Sequence, residues 1–169
     1  MLKKSILNLK TKAALRKNAA QRSNIAFRDV KRIGIIHSFT DDKSVQEIYH
    51  FFDQLEKAGK EVKVLIIKDK RQSLNIPEFL LTDYQEVSQF GQWTNQEVVA
   101  FFNEPFDYLL HINLEESRMV DNILAKCKAH CRVGRYQESK KDYYELMISP
   151  TQDTLKKLIE QIYHYIQIL

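Results

Sequence analysis

The sequence has little of what membrane-spanning, secreted or dinucleotide-binding proteins need. No apolar run approaches the roughly 20 residues of a spanning helix, and basic residues interrupt the N-terminal segment, where a secretory signal needs a continuous apolar stretch. We therefore expect a cytoplasmic protein, in which Cys127 and Cys131 stay reduced. Only four glycines are present, and none falls in the loop after the first predicted strand. Because phosphate needs a close backbone approach there, a typical nucleotide site is disfavoured, and we predict no cofactor.

Charge is distributed very unevenly along the chain. Residues 1–32 contain ten Lys or Arg and a single acid, Asp29, so their formal charge is +9, whereas residues 33–169 have a formal charge of −5. A basic arm on a mildly acidic domain indicates an anionic partner, either nucleic acid, a ribosome-like particle or a charged lipid surface. The candidate contact residues are Lys3, Lys4, Lys10, Lys12, Arg16, Lys17 and Arg22.

The basic segment has the pattern of a helix. From Leu2 to about Arg22 it contains neither Gly nor Pro, and Leu2, Ile6, Leu9 and Ala13 recur at helical spacing. These four residues form one narrow apolar stripe. The stripe could dock on the rest of the chain, on a partner or in a membrane interface.

The remaining sequence alternates between short apolar runs and amphipathic segments. Strands are predicted at 32–37, 61–67, 85–90, 106–112, 132–134 and 144–148. Helices are predicted after capping boxes at 44–47 and 94–97, over 117–128, and from Pro150 onward, with Gly59 ending the first. This alternation implies right-handed crossovers and a mainly parallel sheet covered on both sides. We therefore predict a basic helical extension, residues 1–30, and a three-layer α/β domain of Rossmann-like or flavodoxin-like type, residues 31–169.

Ligands of an open α/β sheet bind beyond the carboxyl ends of the strands, where the strand order reverses. If the first and fourth strands are neighbours, four acids gather at this rim, namely Asp41, Asp42, Glu115 and Glu116. Their oxygens could hold Mg²⁺, but acids are also favoured at helix N-termini. Capping accounts for these acids more simply, so we predict no metal site.

Two histidines at the ends of predicted central strands are the candidate catalytic residues. His37 or His111 could act as a general base if it were paired with Asp41 or Glu115. A strand-end histidine bonded to a backbone carbonyl is the more common arrangement. The rim therefore remains a weaker hypothesis for a small enzyme.

Two arginines border the last central strand and are candidates for binding an anion. The planar guanidinium groups of Arg132 and Arg135 suit a phosphate or a carboxylate. They could equally be solvated residues at the rim.

Five segments together resemble an uncharacterised family of small bacterial α/β proteins, in which a Lys-rich N-terminal helix precedes the same order of strands. The segments are RIGIIHSF, GKEVKVLIIKD, FGQWTNQEV, FDYLLHINLEES and CRVGRY. The resemblance implies the fold but no activity, because that family is a domain of unknown function. The run from Phe106 to Asn113, followed by a helix and then RVG, is also similar to the acceptor half of heptosyltransferase-type glycosyltransferases. There His111 replaces an acid and Leu114 a glycine, so this similarity implies a shared fold and not shared catalysis.

Three functions remain open from the sequence. The first is a non-enzymatic binding module whose basic helix neutralises nucleic-acid phosphates, with a strong dependence on salt. The second is a peripheral protein of the inner membrane face, but the stripe is weak and lacks Trp. The third is a small enzyme at the rim. We prefer the first. If neither nucleic acid nor an anionic membrane binds at low salt, the basic N-terminal segment (the leader, residues 1–32) is an intramolecular helix or a contact within a homo-oligomer.

Overall fold

In the computed structural model, the described residues, 2–69 and 73–169 with side chains from Ser5 onward, form one six-stranded parallel sheet flanked by five α-helices. The strands are β1 (Arg32–Ser38), β2 (Glu61–Lys68), β3 (Leu80–Asp83), β4 (Tyr108–His111), β5 (Cys131–Arg135) and β6 (Leu146–Ile148). Their order in the sheet is β3-β2-β1-β4-β5-β6, which is the Rossmann order. The prediction of a Rossmann-like three-layer domain is therefore confirmed.

The helices cover both faces of the sheet. They are α1 (Leu2–Lys17), α2 (Asp42–Lys57), α3 (Gln96–Asn103), α4 (Arg118–Lys126) and α5 (Leu155–Ile168). Helices α2 and α5 pack on one face, where Phe51 and Ile162 share a core with Ile35 of β1. Helices α3 and α4 pack on the other face, where Val120 shares a second core with Ile36. Neighbouring residues of β1 therefore enter opposite cores, as the period of a strand requires.

Helix α1 docks on α4 and contributes to the second core. Leu7 is fully buried, and Thr11 is also buried. The Thr11 hydroxyl donates to the Leu7 carbonyl at 2.8 Å and accepts from Nδ2 of Asn122 in α4 at 2.8 Å. The amide oxygen of Asn122 in turn accepts from Nε1 of Trp93 at 3.0 Å. This buried chain of hydrogen bonds ties α1, α4 and the loop before α3 together.

The apolar stripe predicted for α1 is not the face that docks on the domain. Ile6 is half-buried, but Leu9 is 68% exposed and Ala13 is exposed, whereas the buried face runs through Leu7 and Thr11. The side chain of Leu2 lies outside the described residues. The apolar spacing fails to predict the docked face because that face includes Thr11. Its hydroxyl bonds to the Leu7 carbonyl within the helix, so the residue can be buried although it is polar.

The helix ends at Lys17, earlier than the predicted end near Arg22. Asn18 provides the reason, because its NH₂ group donates to the carbonyls of Ala125 and Cys127, each at 2.9 Å. These bonds turn the chain onto the end of α4 instead of continuing the helix. None of the described helices is both long enough and apolar enough to span a membrane.

The segment after α1 also follows the surface of the domain. The amide of Ser23 donates to the carbonyl of His130 at 3.0 Å. The hydroxyl of Tyr108, a β4 residue, donates to the carbonyl of Ile25. Much of the predicted extension therefore makes specific contacts with the sheet and its loops.

The prediction for the start of α2 is wrong in detail. Helix α2 is capped by Asp41, whose Oδ1 accepts the Ser44 amide at 2.7 Å, so Ser44 is the partner within the box and not the cap. The loop after β1 is only Phe39–Asp41, which starts the helix earlier than predicted. The helix ends before Gly59, as predicted, and the φ of +78° at that residue suits glycine.

Three further boundaries differ from the predictions. Helix α3 is capped by Asn95, one residue after the predicted Thr94. Helix α5 begins at Leu155 after its cap Thr154, not at Pro150, because the chain first crosses the rim in a loop. The third strand is Leu80–Asp83, whereas 85–90 contains the end of a 3₁₀ turn and a loop. This strand is short and half-buried at the sheet edge, so its apolar pattern is weak.

Candidate functional site

The carboxyl ends of β1 and β4 open into a crevice of about 520 Å³. These two strands are neighbours, which is the condition on which the predicted rim depends, and the strand order reverses between them. The start of α2 forms one wall, and the start of α5 forms the other. The crevice therefore occupies the position at which open α/β sheets bind ligands. The predicted residues His37, Asp41 and Glu115 all line it.

His37 lies buried at the base of this crevice. Its Nδ1 is 2.7 Å from the Ile112 carbonyl, which can only accept, so Nδ1 carries the proton. Its Nε2 is 3.1 Å from the Ser44 hydroxyl. Burial lowers the pKa of His37 below its usual value, against smaller raising contributions from its hydrogen bonds and Asp41. The ring is therefore a neutral acceptor that is held in one orientation.

His111 does not share this crevice. Its Nδ1 is 2.6 Å from the hydroxyl of Tyr144, and the two rings stack at 6.1 Å. Its Nε2 has no hydrogen-bond partner in the described part of the chain and faces a cleft of about 10 Å³, enough for one water. Burial, followed by the charges of His37 and Lys140, lowers the pKa of His111 to about 3. The two predicted histidines therefore do not form one catalytic pair.

The four acids predicted at the rim do not form one cluster. Asp41 caps α2, and Asp42 lies in the first turn of that helix. Glu116 is 3.8 Å from Nζ of Lys140, whereas Glu115 lines the crevice. Among residues 2–69 and 73–169, no group of three His, Cys, Asp or Glu side chains is placed to hold a metal ion.

Asn113 is a rim residue that the sequence reasoning missed. It lies two residues after the end of β4 and lines the crevice, and its side-chain oxygen accepts the amide of Ser38 at 2.7 Å. The bond ties the ends of β4 and β1 together. A polar residue directly after a buried strand was the signal that could have identified it.

Arg135 joins the loop after β4 to the start of α5. Its guanidinium donates to the Leu114 carbonyl at 2.6 Å and lies 2.8 Å from the Asp153 carboxylate, just before α5. Arg132 is buried at the start of β5 and donates to both carboxylate oxygens of Glu145, at 2.7 and 3.0 Å. The two arginines predicted to bind an anion are therefore separated, and both guanidinium groups have partners within the chain.

A second feature is a basic surface formed by α1 and the end of α4. Its members are Lys10, Lys12, Arg16, Lys17, Lys126 and Lys128. Of the predicted contact residues, Lys3 and Lys4 have side chains outside the described residues. Within the described part of the chain, none of the six cations makes an ion pair. Lys126 and Lys128 were not predicted, because only the docking of α1 brings them next to the leader.

A groove of about 530 Å³ lies within this surface, between the ends of α1, α3 and α4. Lys17, Lys126 and Lys128 line it together with Asn18, and no acidic side chain does. Nζ of Lys126 lies 5.7 Å from the centre of the Phe102 ring. Burial, and then the charge of Lys10, lowers the pKa of Lys126.

Arg22 is separate from this surface. Its guanidinium donates to the carbonyls of Ala129 and Cys127, the latter at 3.3 Å, and lies 3.7 Å from the Glu145 carboxylate. The arginine therefore fastens the leader to the domain. Its charge is partly neutralised inside the chain.

The fold and these features define a Rossmann-ordered α/β domain with a docked basic helix. Over residues 3–169 the sequence matches the family described as a family of unknown function (DUF6913). The chain belongs to that family, and the predicted resemblance to a family without assigned activity is confirmed.

Two further comparisons complete this picture. No curated protein matches the sequence. Among solved structures, the chain is similar to the crystal structure of a glycosyl transferase family 9 protein from Veillonella parvula DSM 2008, with a TM-score of 0.49 and 12% identity. The alignment covers 87% of this chain and 44% of that one, so the chain spans less than half of that protein's length.

Proposed function

We propose that this protein is a binding module that engages nucleic acid through its basic surface. The observation that carries the proposal is the groove between α1, α3 and α4, which three lysines line and no acidic side chain does. Its volume of about 530 Å³ accommodates phosphate groups together with their sugars. Contacts to phosphates position a nucleic acid without reading its sequence, so the expected binding has no base preference.

The electrostatics of the free protein favour an anionic partner. The six cations of the basic surface have no ion-pair partner among the described residues, and burial, followed by the positive charge of Lys10, lowers the pKa of Lys126. A bound phosphate would offset the repulsion between these positive charges. Binding would also release counterions from the nucleic acid, so the affinity would depend on the salt concentration.

The docking of α1 supports a rigid binding surface. Leu7 and Thr11 are buried against the domain, and Arg22 fastens the segment that follows. The lysines are therefore held in place before the partner arrives. A preorganised surface loses less conformational entropy on binding than a free basic arm.

A charged membrane face is the alternative that one observation favours. Leu9 is 68% exposed on the outer side of α1, between basic residues. Interfacial helices insert such apolar side chains into lipid. Binding to nucleic acid does not require Leu9, so substitution of this residue distinguishes the two partners.

Nucleic acid as the partner implies a cytoplasmic location. The two buried free thiols, Cys127 and Cys131, are in keeping with that location.

Fluorescence anisotropy with a labelled oligouridine RNA over a salt series tests the proposal. The test variant carries Lys17→Gln, Lys126→Gln and Lys128→Gln. The control carries the same charge change at exposed sites elsewhere, Lys31→Gln, Lys57→Gln and Lys156→Gln. We expect the test variant to reduce the slope of log K against log salt by about 2, because each single-strand phosphate contact contributes about 0.7.

Three outcomes would contradict the proposal. The wild-type protein could fail to bind RNA at low salt, or the control variant could weaken binding as much as the test variant. Binding to phosphatidylserine vesicles but not to RNA, with loss on Leu9→Gln, would instead assign the basic surface to a membrane.

A further inference from the structure

The crevice at the ends of β1 and β4 is a preformed cavity. Its volume of about 520 Å³ lies within the range of small-molecule sites. Arg135 holds the loop after β4 against the start of α5 by binding the Leu114 carbonyl and the Asp153 carboxylate. The basic surface lies against α3 and α4, on the other face of the sheet from α2 and α5.

Two polar side chains, one at the floor of the crevice and one beside it, have unused hydrogen-bonding capacity. Asn113 is only 6% exposed. Its side-chain oxygen accepts the Ser38 amide and faces His37. Its NH₂ group makes no hydrogen bond to a described residue and is therefore available to a ligand. The Ser38 hydroxyl is also buried without a partner in the described part of the chain. It lines an adjoining depression that shares Asn113 and Glu115 with the crevice.

Unsatisfied buried polar groups are costly, at about 1–3 kcal/mol each. Most of those in native proteins are explained by a water, an ion or a bound molecule. Here the Ser38 hydroxyl is the buried group, and the NH₂ group of Asn113 adds two hydrogen-bond donors on the crevice itself. An occupant of the crevice with acceptor oxygens would satisfy the Asn113 NH₂ group.

The charges around the mouth define the occupant further. Lys43 and Lys156 line the crevice, and neither makes an ion pair with a described residue. Three carboxylates also line it: Asp41, which caps α2, and Glu47 and Glu115, neither of which has an ion-pair partner among the described residues. The lysines suit a carboxylate or phosphate group, whereas the carboxylates of Glu47 and Glu115 can accept hydrogen bonds from hydroxyl groups.

We propose that this crevice binds a small hydroxylated organic anion, a carboxylate or a phosphate monoester, between Asn113 at the floor and Lys43 and Lys156 at the mouth. A dinucleotide does not fit this site, because the loop after β1, Phe39–Asp41, contains no glycine for a close approach to a pyrophosphate. The crevice is therefore a metabolite site that is independent of the nucleic-acid surface.

NMR titration of the ¹⁵N-labelled full chain tests this site. The probes are gluconate and glycerol 3-phosphate, and uncharged glycerol is the control. We expect saturable shifts of the Ser38, Asn113 and Leu155 amides with at least one anion and none with glycerol. Asn113→Asp keeps the acceptor for the Ser38 amide but replaces the donating NH₂ group, and we expect it to abolish saturation.

A matched pair on α2 tests the contribution of the mouth. Lys43→Gln should weaken binding by about tenfold, because one charge-assisted hydrogen bond is lost. Lys57→Gln, at the far end of the same helix, should leave it unchanged. The proposal is overturned if neither anion shifts these amides, if glycerol shifts them equally, or if Asn113→Asp binds like the wild type. Failure here leaves RNA binding by the basic surface unaffected, so the two proposals are tested separately.

Discussion

Replacing Leu7 with alanine should destabilise the protein strongly, whereas the same replacement at Leu9 should not. Leu7 of α1 is fully buried against α4, whereas Leu9 of the same α1 helix is 68% exposed. Truncation of a buried leucine removes its transfer free energy and leaves a cavity, at a cost of about 2–5 kcal/mol. Truncation of an exposed leucine in a helix changes the free energy of unfolding by no more than about 0.5 kcal/mol.

The position of α1 at the edge of the fold sets the expected value within this range. If the docked helix detaches before the sheet unfolds, the loss is limited to the free energy of docking. The hydrogen bonds of Thr11 with Asn122, and of Arg22 with the Ala129 carbonyl, both oppose detachment. We therefore expect Leu7→Ala to lower the free energy of unfolding by about 2–3 kcal/mol, near the low end.

Urea denaturation followed by two probes measures this loss. Trp93 is the single tryptophan and bonds to Asn122 beside α1, so its fluorescence reports the docked interface. Far-ultraviolet circular dichroism reports the whole fold. Equal unfolding free energies for Leu7→Ala and Leu9→Ala would refute the docking of α1 through Leu7, and a larger loss for Leu9→Ala would restore the stripe predicted from the sequence.

Three other perturbations have defined outcomes. Thr11→Val should cost about 1–3 kcal/mol in urea denaturation, because Nδ2 of the fully buried Asn122 loses its acceptor. The pKa of His111 is lowered to about 3, below the 6.5 of an unfolded histidine, so its contribution to stability is complete above pH 6.5. That contribution should fall as the pH drops from 6.5 toward 3, by up to about 1.4 kcal/mol per pH unit in unfolding measured at several pH values. Gly134→Ala should lower the thermal stability, at a cost of about 1–3 kcal/mol, because a Cβ there meets the Tyr144 ring.

Two of these predictions have a matched control variant. Thr11→Ser retains the hydroxyl and should cost less than Thr11→Val, and equal losses would contradict the hydrogen-bond argument. His111→Gln should reduce the pH slope, and His37, whose pKa burial also lowers, contributes to the slope that remains. An unchanged slope in His111→Gln would contradict the assignment. An unchanged melting temperature for Gly134→Ala would show that Tyr144 can move aside.

The central part of the fold was readable from the sequence. The runs Ile33–Ile36 and Val64–Ile67 are buried, and such continuous apolar strands are typical of parallel sheets. The edge strand β3 was misplaced because Leu80–Asp83 is short and only partly buried. The start of α5 was misplaced because Pro150 is a common first helical residue, but a loop along the rim delays the helix to Leu155.

The candidate sites were only partly readable. The placement of His37, Asp41 and Glu115 at one crevice follows from adjacent parallel strands, and it was predicted. The separation of His111 from that crevice was not predicted, since it depends on Tyr144, which packs from the far side of β5. Asn113 was overlooked because its role depends on the Ser38 amide of another strand.

The sequence by itself determined the alternation of strands and helices and the mainly parallel sheet, because local apolar patterns record which faces are buried. The adjacency of β1 and β4 came only from the tertiary structure. The tertiary structure decided which face of α1 is buried, that Arg22 bonds within the chain, and that Lys126 and Lys128 join the leader's lysines. These outcomes depend on hydrogen bonds and packing between residues about a hundred positions apart, such as Thr11 with Asn122 and Arg22 with Ala129. Periodicity along one segment carries no information about such partners, so only the folded chain distinguishes structural cations from exposed ones.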